Sequence, residues 1–92
     1  MLTMINIQCE LMIKGVVFVV DVQERVVVMY PKNSVDKEAN KMLLWSAPSG
    51  DRGLSNQGAD AVLNTIHTLD FRQYSSAHSI AKMLRTYFIN NL

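Results

Sequence analysis

Few residues in this chain have the types and the spacing that chemistry requires. Cys9, the only cysteine, could combine with His67 or His78 as a thiol nucleophile and its base. Nothing near Cys9 in the sequence would lower its pKa, however, and its place in an alternating segment points it inward. We therefore interpret Cys9 as a buried structural cysteine, and we predict no catalytic residue.

One flank of the helix predicted after residue 55 is polar. Asp60, Asn64 and His67 lie about one turn apart on it, an arrangement that could form half of a metal site. Two ligands are too few for a structural zinc ion, and Cys9 is distant in the sequence. A solvated helix flank accounts for these residues, so the sequence predicts neither a metal site nor a cofactor.

A glycine-rich loop, residues 50–53, comes directly before the same helix. A phosphate-binding loop needs Gly-Lys followed by Ser or Thr at the start of its helix, where backbone and lysine hold the phosphate. The matching positions here are Leu54, Ser55 and Asn56, and Asp51 would repel phosphate. We interpret this loop as a connector between two elements.

The last predicted helix carries basic residues away from its apolar stripe. His78, Lys82 and Arg85 are spaced at i, i+4 and i+7, and Arg72 adds charge just before the helix. With the preceding helix, this segment could form a helix-turn-helix that enters the major groove of DNA. Against that interpretation, the link between the helices has no glycine and the net charge of the chain is only +1.

The elements that would position these residues begin with strands. Residues 5–13 alternate between apolar and polar, and two further strands are predicted at residues 16–22 and 25–30. Lys14-Gly15 offers a tight turn between the first two strands, and a second turn is expected around Gln23-Glu24. The first third of the chain therefore predicts a three-stranded antiparallel meander.

The middle of the chain allows two interpretations. Asn33 or Ser34 could cap a helix that runs to about residue 43, and we expect a helix here. Residues 42–45 are consecutive apolar residues, however, and could instead form a fourth strand near residues 41–46. Beyond them, Ser55 and Ser75 are expected to cap two helices that pair as a hairpin across the sheet. The predicted fold class is α+β.

Composition limits the architecture and the compartment. The chain has 92 residues, of which 49% are hydrophobic and 18% charged, enough for one domain spanning residues 1–92. A single cysteine indicates a reducing compartment, and polar residues interrupt the N-terminal segment, unlike in a signal peptide. The longest apolar run, residues 16–20, is too short to cross a membrane. We expect a cytoplasmic protein that does not bind membranes.

The sheet has more apolar surface than two helices can cover. We expect the helices to cover one face, which leaves a second apolar patch on the other. Something should cover this patch: a second copy, a different protein, or residues 34–45 folding back. The patch is predicted to consist of Met12, Val17, Val19, Val27 and Met29.

These observations favour a small non-enzymatic regulator, adaptor or inhibitor, of a kind common in bacteria and their phages. It would bind protein through the apolar patch, with itself as a homodimer or with another protein. The alternative is a dimeric DNA-binding transcriptional regulator that uses the last helix. A second alternative is a small ligand-binding protein or enzyme, with a pocket between sheet and helices.

Overall fold

The structure, a computed structural model, describes residues 5–68 and 76–91. In these residues, four strands are followed by two helices. The strands are β1 (Asn6–Ile13), β2 (Val16–Gln23), β3 (Val26–Pro31) and β4 (Met42–Ser46), and the helices are α1 (Asn56–Thr68) and α2 (Ala77–Asn91). The predicted α+β class, with a meander followed by two helices that pack on the sheet, is confirmed.

The four strands form one antiparallel sheet in the order β1-β2-β3-β4. Lys14 and Gly15 connect β1 to β2 with φ angles of 50° and 82°. Two consecutive residues with positive φ match the right-handed twist of a two-residue hairpin, and glycine accepts such an angle without strain. The predicted first turn is therefore correct.

The helix expected from about residue 34 to 43 is absent, and the fourth strand takes its place. Residues 33–41 form turns that are closed by their own polar groups. The side-chain amide of Asn40 donates to Ser34 Oγ at 2.6 Å, and the backbone amide of Ala39 donates to Asp36 Oδ1 at 3.1 Å. These short side chains offer the backbone an alternative to helical hydrogen bonds, which frees the apolar residues of β4 to pair with β3.

The register of β2 against β3 differs from the expected one. Val20 pairs with Met29, and Val22 pairs with Val27. Directly paired residues of an antiparallel sheet point to the same face. The connection is Glu24-Arg25, one residue later than expected; the expected turn at Gln23-Glu24 also has two residues, so either turn places Val27 and Met29 on the face of Val20 and Val22. Val27 and Met29 are therefore wrongly assigned to the second patch: both are 0% exposed and belong to the main core.

Side-chain caps begin both helices. Ser55 Oγ accepts a hydrogen bond from the Gly58 amide at 3.1 Å, which confirms the predicted N-cap of α1. At α2 it is Ser76 that caps, because its Oγ accepts from the Ser79 amide at 3.2 Å. The predicted cap at Ser75 lies outside the described residues, as does the predicted link at residues 71–74.

Both helices and one face of the sheet form a single core, and we call this side of the sheet the helix-covered face. Apolar residues spaced three or four apart along α1 and α2 supply the upper layer. The largest fully buried side chains are Val20, Val22, Val27 and Met29 from the sheet and Val62, Ile80, Leu84 and Phe88 from the helices.

Hydrogen bonds connect the loop between β4 and α1 to the turn between β2 and β3. The Leu54 amide donates to the Glu24 carbonyl at 2.6 Å, and the Ala47 amide donates to the Arg25 carbonyl at 2.8 Å. The Arg25 guanidinium also donates to the carbonyls of Pro48, at 3.2 Å, and Asp51. The polar groups of this loop are thus used to hold the chain in place, in line with its interpretation as a connector.

Candidate protein-interaction face

The sheet has a second face, opposite the helices, which we call the open face. Cross-strand pairing places its residues, because paired side chains share a face; between β3 and β4 the register shifts between Val27 and Val28, and Leu43 pairs with Val28. No helix or strand within residues 5–68 and 76–91 packs on this side. The open face carries Met12, Val17, Val19, Asp21, Val28, Tyr30 and Leu43.

The apolar residues of the open face are buried to very different extents. Met12 is 64% exposed and Leu43 52% exposed, at opposite edges of the sheet. Val17 and Val28 are half-buried. Val19 and Tyr30 are buried although they are not part of the main core. The centre of the open face is therefore shielded from solvent, while its two edges are exposed to solvent.

An ion pair crosses the open face near its centre. Lys32 Nζ lies 2.8 Å from Glu10 Oε2. Glu10 belongs to β1 and Lys32 follows β3, so this ion pair spans β2 between Val17 and Val19. The methylene stems of such side chains can cover apolar surface while their charges stay in water.

The segment between β3 and β4 contributes little to this cover. Its one large apolar side chain, Val35, is fully exposed. Lys37 reaches back, with Nζ 5.7 Å from the centroid of the Tyr30 ring, a cation–π distance, and the charge of Lys41 interacts with Asp21 and Tyr30. Residues 34–45 therefore do not close the open face as a layer.

Asp21 is the one polar residue buried in this face. It lies on β2 between Gln8 of β1 and Val28 of β3 and is 9% exposed. Its Oδ1 atom is inaccessible and has no hydrogen-bond partner among the described residues. Lys41 is held by Glu38 at 2.8 Å, and this hydrogen bond raises the pKa of Lys41, with the charge of Asp21 adding to the increase.

Of the five residues predicted for the second patch, three lie on the open face: Met12, Val17 and Val19. Val27 and Met29 lie on the helix-covered face. Sequence reasoning missed Val28 and Tyr30, because the predicted patch took the wrong set of alternate β3 residues, although a two-residue turn before β3 places Val28 and Tyr30 on the face of Val19. It also missed Asp21 as a feature of this face, although a lone carboxylate within an apolar strand was a visible signal.

The residues considered for catalysis or metal binding are not assembled into a site. Cys9 is half-buried on the helix-covered face, and burial raises the pKa of its thiol. His67 and His78 are exposed, as are Asp60 and Asn64. Among the described residues, no three His, Cys, Asp or Glu side chains are close enough to hold a metal ion.

The basic residues of α2 lie on its solvent side. His78, Lys82 and Arg85 are exposed, and Arg72 lies outside the described residues. Arg85 is only partly available to a ligand, since its Nε donates to the Leu43 carbonyl of β4 at 2.8 Å. This bond ties the helix to the edge of the sheet.

A groove of about 410 Å³ lies between β4 and the C-terminal part of α2. Trp45, Phe88 and Ile89 are its largest apolar side chains, and its two charged residues are Asp51 and Arg85. Both are already engaged: Asp51 Oδ1 accepts from the Gly53 amide at 2.9 Å, and Arg85 bonds to β4. The groove therefore has few polar groups left with which to orient a small ligand.

Two further findings bear on function. No helix in the described part of the chain is long and apolar enough to cross a membrane. Comparisons of the chain with protein-family models, with curated proteins and with solved structures find no match.

Proposed function

We propose that this protein is a small, non-catalytic binding protein that acts through its open face, and that a second copy of the chain is the molecule that binds there. The observation that carries the proposal is a four-stranded sheet with helices on one side only. On the open face, Met12 and Leu43 are exposed to solvent, and Val17 and Val28 are half-buried. Within the cell, the single cysteine suits the reducing cytoplasm.

Face-to-face packing of two such sheets follows from elementary energetics. Apolar area removed from water contributes roughly 25 cal/mol per Å², and a 92-residue domain is only marginally stable alone. A two-fold dimer presents the same patch from both copies, so one apolar face is enough to form the interface. As a regulator, adaptor or inhibitor, the protein would use this dimer, or would exchange the second copy for another protein.

The first experiment measures the mass of the purified protein in solution by light scattering or sedimentation equilibrium. We expect a dimer at micromolar concentrations. Met12→Glu and Leu43→Glu place charges at the two exposed edges of the open face. Because both side chains are already accessible, the fold should tolerate the changes, whereas the dimer should dissociate.

The matched control is Ile89→Glu. Ile89 is apolar and 78% exposed, but it lies on α2 beside the groove rather than on the open face. We expect this variant to remain a dimer. A native protein that stays monomeric at micromolar concentrations would contradict self-association, and dissociation caused only by Ile89→Glu would move the interface to the groove.

DNA binding by α2 is the second candidate function. It is supported by the exposure of His78 and Lys82 on a helix without acidic residues. Lys82→Glu tests it without disturbing Arg85, which holds the helix to β4. Retention on heparin should fall clearly if the helix binds phosphates, and unchanged retention would eliminate this function.

A further inference from the structure

We infer that the second copy contributes a cation to Asp21, and that this cation is Lys37, so that two equivalent Asp21–Lys37 pairs connect the copies. The inference rests on the proposed function, because it assigns chemistry to the same open face. Its physical basis, among the described residues, is the Asp21 Oδ1 atom without a hydrogen-bond partner and the Lys37 cation without a carboxylate partner.

The acceptor is the carboxylate of Asp21. Buried polar atoms almost always have a hydrogen-bond partner, and the cost of leaving one unpaired is greatest for a charged group. Asp21 Oδ1 is inaccessible and unpartnered, although the side chain lies on a face with no covering layer. Asp21 as a whole keeps 9% of its surface exposed, and a cation of a second molecule that approaches this exposed part would stabilise the buried carboxylate.

The donor is selected by elimination among the lysines beside the open face. Lys32 is bound to Glu10, and Lys41 is bound to Glu38. Lys37 contacts only the face of the Tyr30 ring, at 5.7 Å from its centroid, and has no carboxylate partner among the described residues. Of these three lysines, it is therefore the one that has no carboxylate partner among the described residues and can pair across an interface.

The positions of the two residues suit a two-fold axis. Tyr30, beneath Lys37, pairs with Val19, which lies two residues from Asp21 on β2. Asp21 and Lys37 thus flank one point near the middle of the sheet. A two-fold axis that lies between the two sheets above that point, perpendicular to the line from Asp21 to Lys37, brings Lys37 of each copy towards Asp21 of the other, which forms both pairs at once.

Charge reversal in two separate chains tests this arrangement. Asp21→Lys alone would place lysine against lysine twice in its dimer, and Lys37→Asp alone would place carboxylate against carboxylate twice. We expect each variant to associate at least about tenfold more weakly than the native protein. In an equimolar mixture, the mixed dimer contains two opposite-charge pairs, so association should return close to the native affinity, as measured by sedimentation equilibrium.

The control mixture combines Asp21→Lys with Lys41→Asp, which should not restore association. If the first mixture is no tighter than its components while the native protein is dimeric, the pairing is overturned but the proposed function stands. Restoration by Lys41→Asp instead would overturn the assignment of Lys37. A monomeric native protein would overturn both proposals.

A second measurement covers the case in which Asp21→Lys does not fold, as judged by circular dichroism. Asp21→Asn and Lys37→Gln remove the charges with little change of shape. We expect each to weaken association about tenfold and the double variant to be no weaker than either one, because the two residues act as a pair. Additive losses, or tighter association of Asp21→Asn, would overturn the inference.

Discussion

The two faces of the sheet are built from the same strands but are closed in different ways. On the helix-covered face, Val20, Val22 and Val27 are 0% exposed and pack against apolar side chains of both helices. On the open face, Val19 and Tyr30 are buried outside the main core, and the Glu10–Lys32 ion pair and Lys37 lie beside them. A low exposed fraction of a side chain therefore does not show that it belongs to a core covered by secondary structure. What distinguishes the faces is whether a layer of secondary structure lies above them.

The two faces of the sheet also differ in their polar residues. The buried side chains of the helix-covered face are all apolar, which is the usual composition of a core. The open face carries Asp21 at its centre and an ion pair that spans β2. A carboxylate would be costly beneath helices, but it is tolerable on a face that meets water or a partner with a matching charge.

The largest effect should come from the loop that carries the chain from β4 to the helix-covered face. Gly53 has a φ of 91°, and an added Cβ would lie 2.3 Å from the Glu24 carbonyl oxygen. Gly53→Ala should therefore lower the free energy of unfolding by about 3 kcal/mol. Urea denaturation measures this value.

Gly50→Ala is the control for this change. Gly50 has a similar φ of 87°, but a Cβ there would meet nothing within 4 Å. We expect a loss of about 1 kcal/mol, from backbone strain alone. Equal losses at the two positions would show that the contact with Glu24 does not hold the connector in place.

Val27 and Val28 allow the two faces to be compared directly. They are adjacent residues of one type on β3 that point to opposite faces, and Val27 is fully buried whereas Val28 is half-buried. Val27→Ala should cost about 2 kcal/mol, because it removes packed methyl groups and leaves a cavity. Val28→Ala should cost less than about half of that in the monomer. The reverse order, measured by urea denaturation, would mean that the register of β3 is wrong.

The sequence predicted the elements better than it predicted the faces. Alternation in residues 5–13, the Lys14-Gly15 turn and the cap at Ser55 are local signals, and each was correct. The facing of Val27 and Met29 depends on whether the turn before β3 has an odd or an even number of residues. The expected turn at Gln23-Glu24 and the observed one at Glu24-Arg25 both have two residues, so the correct facing followed from the predicted turn, and the predicted patch did not apply it.

The fourth strand shows a second limit. Residues 33–43 contain a cap, acidic residues and apolar residues at helical spacing, so local propensity favoured a helix. Tertiary structure decided otherwise, because β4 pairs with β3 and places Leu44 in the main core. The importance of Asp21 could be recognised only after pairing placed it between β1 and β3 on the open face.

Asp21→Val should increase the free energy of unfolding, whereas the preceding substitutions should decrease it. It replaces a buried, unpaired carboxylate by a β-branched residue suited to a central strand, so the monomer should become about 1 kcal/mol more stable. Thermal or urea unfolding of dilute protein measures this. Asp21→Asn, which keeps the shape and loses the charge, should give a smaller gain. A loss of stability in both variants would mean that the carboxylate has a partner within its own chain.

Cys9 reports how well the helix-covered face is closed at its β1 edge, and its effect should be the smallest. Burial raises the pKa of its thiol, so the folded protein holds the thiol proton to higher pH than the unfolded chain does. The unfolded state then binds fewer protons above the usual thiol pKa, and stability should decrease slightly as pH rises through that range. Cys9→Ala should remove this part of the pH dependence.

Alkylation by iodoacetamide at pH 8 provides the direct measurement, because only the thiolate reacts. We expect folded protein to react on the order of tenfold more slowly than protein unfolded in urea, since the half-buried thiol is both less ionised and less accessible. Equal rates would show that β1 separates readily from the helices. The helix-covered face would then be open at this edge, and the contrast between the two faces would hold only for β2 and β3.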